Sequence, residues 1–161
     1  DKGFGFRVAG LIGGLLEQLP GIGIVLVGSS ADRPLAAELR ATFSAPAQQP
    51  RLIDSTGRVA LEDLAALVDR FSLYVGVDSG ITYLADARRV PVIDLMGPAD
   101  PEDQRPTGPQ AVVIRPDIPC APCSHAFFAP YRCHRNNRAC ISNIEISRIL
   151  PAAGKIVSLH S

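Results

Sequence analysis

Several things are scarce or missing in this sequence, and each absence removes a class of function. No apolar run approaches the ~20 residues that a membrane helix needs, because Gly, Pro or a charge interrupts every one. Neither sign of charge dominates: 16 Lys plus Arg stand against 16 Asp plus Glu, so no global field recruits nucleic acid or an anionic membrane. Any anion site must therefore be local. Lysine is rare beside arginine, which makes the early Lys2 stand out. The 3 histidines all fall at or after His125 and the GxSxG pattern is absent, so a self-contained Ser-His-acid hydrolase has no support. The pair Gly21 and Gly23 precedes a strand instead of following one, so it is not a dinucleotide fingerprint, which weakens an oxidoreductase reading. The apolar segment 8–19 lacks the basic flank and cleavage site of a secretion signal. There is no internal repeat or low-complexity tract. The first residues read as the inside of a fold, which suggests a fragment of something longer.

What is present is an alternation. A chain of 161 residues fits one domain, 1–161, that buries roughly two thirds of its unfolded surface. Val8, Leu11, Ile12, Leu15, Leu16 and Leu19 fall at helical spacing ahead of Pro20-Gly21. The glycines at 10, 13 and 14 weaken that helix, so packing must hold it, and they permit a close approach. A buried strand is expected over 24–27, then a helix from Asp32 and Pro34 with Leu35, Leu39 and Phe43 inward. A short strand at Leu52 and Ile53 and a Thr56-Gly57 turn follow. A third helix uses Leu61, Leu64, Ala65, Leu67 and Val68. Strands at 73–77, 92–96 and 112–114 flank a helix over 81–88. Strands and helices alternating at these lengths predict a three-layer, Rossmann-like, doubly wound parallel sheet with right-handed crossovers. Segment 119–140, rich in Cys, Pro and Arg, reads as irregular. Ser142 with Glu145 forms a capping box that opens a last helix, which Pro151 is expected to end.

The stretch 73–101 organises the rest. Its two apolar runs each end in a small-residue turn, the way a parallel sheet presents its ligand edge. Asp78 closes the first strand, while Ser79 and Gly80 open the next helix, whose free N–H groups suit a phosphate. The same three residues also suit an ordinary cap. Asp32, just past the 24–27 strand, can accept from ribose hydroxyls or cap a helix. The four thiols at Cys120, Cys123, Cys133 and Cys140 match a zinc site in part, but the last pair is six residues apart. Structural zinc, packed free thiols and disulfides all stay open. Redox chemistry at the CxxC is disfavoured, since no helix start is evident to lower a thiol pKa.

Taken together, VALEDL at 59–64, VGVDSG at 75–80 and VPVIDLMGPADP at 90–101 resemble the donor-binding half of glycosyltransferase family 9, the lipopolysaccharide heptosyltransferases. The later CAPC at 120–123, with Cys133 and Cys140 ahead of an Ile-rich helix, is similar to the tail of many members. The resemblance implies the C-terminal half of a GT-B fold in an inverting, metal-independent bacterial transferase that makes lipopolysaccharide or a related surface glycan. It further implies an ADP-sugar donor, with ADP-heptose favoured, and no required cofactor. Asp78 would meet hydroxyls of the transferred sugar, and the backbone of Ser79, Gly80 and Ile81 would hold the pyrophosphate. Lys2, ahead of Phe4, would neutralise the leaving group, Asp32 would bind ribose, and Val59 would line the base. The family's catalytic base lies in an N-terminal acceptor-binding domain, so no catalytic residue is expected in this chain, which would bind donor without turning it over. The expected location is the cytoplasm, against the inner face of the inner membrane at most, with no nucleic-acid partner. Tyr83 stands where the family usually has His. A different class of reading is a non-catalytic Rossmann-like scaffold whose segment 119–140 holds zinc.

Overall fold

The computed structural model describes residues 2–128 and 132–159, with side chains of the first helix from Arg7 onward. The chain divides into two compact units, one ending at Leu64 and the other starting at Ala65.

In the first unit, helix α1 (Lys2–Gln18) lays Ile12, Leu15 and Leu16 into the core. It starts earlier than the apolar repeat marks, because glycines at 3 and 5 carry no helix signal of their own. Strands β1 (Ile24–Leu26) and β2 (Leu52–Asp54) pair in parallel, Ile24 opposite Leu52. Between them runs α2 (Arg33–Thr42), with a proline in its first turn, where a missing N–H costs nothing. Ile12 and Leu16 of α1 meet Leu39, Phe43 and Leu52 in one cluster, with Ile24, Leu26 and Leu35 packed around it. Gly13 faces the Phe43 ring, and an added Cβ would stand 3.6 Å from it, an ordinary contact. The glycine is thus not needed for that approach. The C-terminal end of α1 is held by Arg51, whose guanidinium donates to the carbonyls of Leu16, Leu19 and Ile22 at 2.7–3.0 Å.

In the second unit, β3 (Tyr74–Val77), β4 (Val92–Leu95) and β5 (Ala111–Ile114) form a parallel sheet in the order β3-β4-β5. The middle strand is dry: Val92, Ile93 and Asp94 are each 0 % exposed. Helix α4 (Gly80–Ala87) packs on β3 and β4, and α6 (Ile146–Ser158) on β4 and β5. A sheet covered in this way needs near-continuous apolar strands, as these are, Asp94 excepted.

Three expectations need correction. Leu61 lies in a 3-10 turn before α3 (Leu64–Val68) and is 84 % exposed, so the third helix is shorter than its apolar pattern and buries only Val68 fully. The last helix is capped by the backbone of Glu145 without a side-chain bond, and Ser142 instead closes a short α5 (Ala139–Ser142). Pro151 does not end α6, which runs on to Ser158. A proline there removes one backbone bond, but Ile149, Ala153 and Ile156 form a buried stripe on both sides of it that holds the helix together. The described residues of segment 119–140 ahead of α5 are irregular, tied by single bridges between Ala99 and Ser124 and between His125 and Phe128. Among the described residues, no helix is long and apolar enough to cross a membrane.

Candidate functional site

The site builds outward from the turn between β3 and α4. Ser79 occupies the N-cap position in extended geometry, yet its hydroxyl makes no capping bond; it faces the Thr82 hydroxyl at 3.4 Å. Thr82, fully buried, donates to the Val77 carbonyl at 2.6 Å and so fastens the helix start to the strand end. The first backbone donations of the turn run from Thr82 and Tyr83 to the Ser79 carbonyl. As at any helix start, the N–H groups ahead of them are aimed outward with the positive end of the dipole. The side-chain half of the capping alternative is therefore not realised at Ser79, and the turn is open to an anion.

Asp78 sits beside this opening and is held. The Tyr83 hydroxyl, one helical turn along, donates to Asp78 Oδ1 at 2.7 Å. Partial burial of Tyr83, and then its bond to the Asp78 carboxylate, push the tyrosine pKa well up, so it remains a donor at all ordinary pH. Around the turn is an open cleft of about 520 Å³ lined by Asp78, Ser79, Gly80, Tyr83, Asp103, Gln104 and Arg105. Gln104 and Arg105 were not singled out by the sequence, because the loop at 99–110 carries no motif. An arginine in a loop that follows a ligand-edge turn was the available signal.

Beneath the turn lies a residue the sequence also passed over. Asp94 of β4 is fully buried, and neither carboxylate oxygen has a hydrogen-bond partner. It is the register partner of Gly76. The space above Gly76 is filled by the Tyr74 ring, which a Cβ on residue 76 would strike. Burial first, and the neighbouring Asp78 charge second, push the Asp94 carboxyl up to about 6. Tyr74 is raised by burial, an effect opposed by the hydroxyls of Ser79 and Thr82. A lone acid in the run VIDLM was the visible sign.

In the first unit the strand ends form a second polar edge. Asp32 closes a capping box: its Oδ2 accepts from both the N–H and the hydroxyl of Ser29 at 2.8 Å. The exposed carboxylate thus closes the short 3-10 turn at 30–32, while at the N-cap position of α2 it makes no side-chain capping bond. Asp54 accepts from the N–H and hydroxyl of Thr56, which hold its pKa down. Arg33 donates to the carbonyls of Thr56 and Gly57, and Gly57 takes the positive φ of 60° that this turn requires. Val59 follows, half-buried. Lys2 is the first residue of α1, and its side chain lies outside the described residues.

The four cysteines are all unbridged. Burial raises the Cys140 thiol, and the neighbouring Cys123, Cys133 and Cys120 raise it further. Cys133 departs the other way. Backbone N–H groups of Arg138 and Arg135, with lesser help from Asn137 and Asn136, hold it below the usual thiol range, a loop effect that a search for a helix start does not find. No three of these sulfurs come within 4.8 Å of one another among the described residues; the group that does is Asp100, Asp103 and His125. There the His125 ring already meets both carboxylates, at 3.2 and 3.3 Å.

Comparison with known proteins decides what this arrangement belongs to. Residues 13–129 match the model of glycosyltransferase family 9 (heptosyltransferase). The chain belongs to that family. It is 35% identical over 96 residues to lipopolysaccharide heptosyltransferase 1 of Pseudomonas aeruginosa, covering 60% of this chain and 25% of that protein. It is 28% identical over 95 residues to lipooligosaccharide heptosyltransferase 2 of Haemophilus influenzae, covering 59% and 27%. Among solved structures, E. coli ADP-heptose lps heptosyltransferase II superposes with a TM-score of 0.76 at 23% identity, over 97% of this chain and 42% of that one. The family 9 glycosyltransferase of Veillonella parvula gives 0.70 at 22%, over 98% and 42%. The chain thus spans about a quarter of the length of these curated relatives and 42% of the solved chains, with the fold of one half of a GT-B heptosyltransferase.

Proposed function

We propose that this family 9 chain is a nucleotide-sugar-binding domain, with ADP-heptose as ligand, of an inverting glycosyltransferase acting on lipopolysaccharide or a related surface glycan. The observation that carries the reading is the open start of α4 beside a carboxylate oriented by Tyr83. Backbone N–H groups of Ser79, Gly80 and Ile81 with a helix dipole behind them favour a diphosphate. Asp78, its Oδ1 engaged by Tyr83, keeps the second oxygen for sugar hydroxyls. Arg105 and Gln104 line the same cleft and extend the polar lining toward the ligand. Lys2, Asp32 and Val59 take the roles the family likeness implies: a cation for the leaving diphosphate, an acceptor for ribose, and backbone against the base. No side chain named here abstracts the acceptor proton, so that base comes from outside these residues, and the donor needs no metal for binding.

Calorimetric titration tests this. ADP-heptose should bind with one site per chain, and Asp78→Ala should weaken it at least tenfold, about 1.4 kcal/mol. Equal affinity of wild type and Asp78→Ala would remove Asp78 from the site, and no binding by either would remove the reading. Tyr83→Phe deletes a single hydrogen bond near the surface. Its melting temperature should stay close to wild type while ADP-heptose affinity falls roughly three- to tenfold, about 0.7–1.4 kcal/mol, the range of one ordinary hydrogen bond. An unchanged Kd would show that Tyr83 does not position Asp78.

A further inference from the structure

Asp94 takes no part in the binding roles above, and its surroundings are unusual for a carboxylate. It is fully buried, with both oxygens unpartnered, on the central strand of the sheet. Buried carboxylates are normally paired or hydrogen-bonded, because an ionised one without a partner loses its hydration for nothing in return. Its position is equally specific. Asp94 stands opposite Gly76 in the β3-β4 register, two residues before Asp78, and alternation along β3 puts residues 76 and 78 on the same face of the sheet. The charge of Asp78 therefore reaches it.

The other titratable groups around it leave it unneutralised. On β3 there is Tyr74, and on α4 Tyr83, both neutral phenols. Asp86 of α4 accepts from the N–H groups of Thr107 and Gly108. β5 carries only Ala, Val and Ile. On α6, Arg148 donates to the Arg115 carbonyl, and Lys155 is exposed. No cation faces the Asp94 carboxyl among these groups.

We propose that Asp94 is a proton-linked sensor of the neighbouring anion site: when the diphosphate of a nucleotide sugar docks on the Ser79-Gly80-Ile81 turn, Asp94 takes up a proton from solvent. This rests on the donor-binding reading above. The physical step is simple. A diphosphate brings two further negative charges to the turn whose Asp78 charge Asp94 already feels, and like charge nearby favours the neutral acid. Only a proton moves, from buffer to one carboxylate oxygen, and no bond in the ligand changes. Because the acid titrates near neutrality, at about 6 in the free protein, the uptake falls where it can be measured. The linkage makes donor binding tighter in mildly acidic solution.

The experiment is titration of ADP-heptose into the chain at pH 6.5, in buffers of low and high ionisation enthalpy. Both phosphates of this ligand are esterified and do not titrate near neutrality, so the probe adds no proton of its own. A rise of one pKa unit on binding predicts uptake of about half a proton at that pH, read as the slope of observed enthalpy against buffer enthalpy. Asp94→Asn should bind with a slope near zero. In the wild type alone, Kd should loosen by up to about tenfold between pH 5 and pH 8, which requires no variant to fold. Binding with a zero slope and a flat Kd overturns this inference and leaves the donor-binding reading standing, as does a slope retained in Asp94→Asn. Absence of binding at every pH overturns both.

Discussion

Replacing Arg51 with alanine is expected to lower the stability of the first unit by about 3 kcal/mol, the largest effect predicted for any single side chain away from the cleft. Arg51 lies at the entry to β2, and its three guanidinium nitrogens reach three different carbonyls: Nη1 to Leu16, Nη2 to Leu19 and Nε to Ile22. The last carbonyls of a helix have no intrahelical donors, so these bonds close the end of α1 and the turn that leads to β1. Each is charge-assisted on the donor side and part-buried, which places it at roughly 1–2 kcal/mol. Alanine removes all three donations at once, although the Leu19 carbonyl keeps the Ile22 N–H at 3.2 Å. Lysine does not restore them, because a single ammonium cannot span the fork that the planar guanidinium fills. Urea unfolding of wild type, Arg51→Ala and Arg51→Lys measures this. Both variants should lose most of the same amount, with amide exchange at the end of α1 accelerated. A loss below about 0.5 kcal/mol, the level of an ordinary surface substitution, would show that the clamp is decorative.

Arg51 also illustrates where sequence legibility ends. The elements of this fold could be read because their signals are local: alternating apolar runs, turn residues, helical spacing at Ile12, Leu15 and Leu16. An arginine that caps a helix more than thirty residues earlier in the chain leaves no local trace. Pro151 fails for the related reason that a breaker signal is local, while the stripe of Ile149, Ala153 and Ile156 that overrides it gains its energy from β4 and β5. Leu61 fails in the opposite sense. Its spacing fits a helix face, but nothing covers it, and the chain forms a 3-10 turn there.

At the candidate site the backbone was more legible than the side chains. Asp78, Ser79 and Gly80 fall at the strand-to-helix turn where the pattern put them, since a parallel strand ending in small residues has few other geometries. The partner of Asp78 was not legible. Tyr83 stands where the family usually has His, and its hydroxyl reaches across five residues to the carboxylate. That spacing follows from the helix turn and could have been tested as a pair. Arg105 and Gln104 are placed by a loop without a repeat, which only the folded chain could bring to the cleft.

The pH dependence of stability should single out Asp94 independently of any ligand. Its folded-state pKa, about 6, lies above the ordinary aspartate value of 3.8. Between those two values the folded state keeps a proton that the unfolded state has released, so stability falls as pH rises through this window and stays reduced above it. The gap of about two units corresponds to roughly 2.5 kcal/mol lost between pH 4 and pH 8. The paired acids act in reverse. Asp54 and Asp69 have lowered pKa values, from Thr56 and Arg88 respectively, and contribute stability that is lost as pH falls. The two trends overlap in a single curve, so the informative quantity is the difference between wild type and Asp94→Asn, in which the paired acids cancel. Asparagine keeps the shape and carries no titrating proton; its unpartnered amide adds a constant cost of about 1–3 kcal/mol at every pH. The difference in unfolding free energy should therefore move by roughly 2.5 kcal/mol in favour of Asp94→Asn from pH 4 to pH 8, whatever its starting value. Chemical denaturation at five or six pH values measures it. Parallel curves would mean that Asp94 is ionised in the folded chain at no cost, with a partner or a water path supplied by local rearrangement.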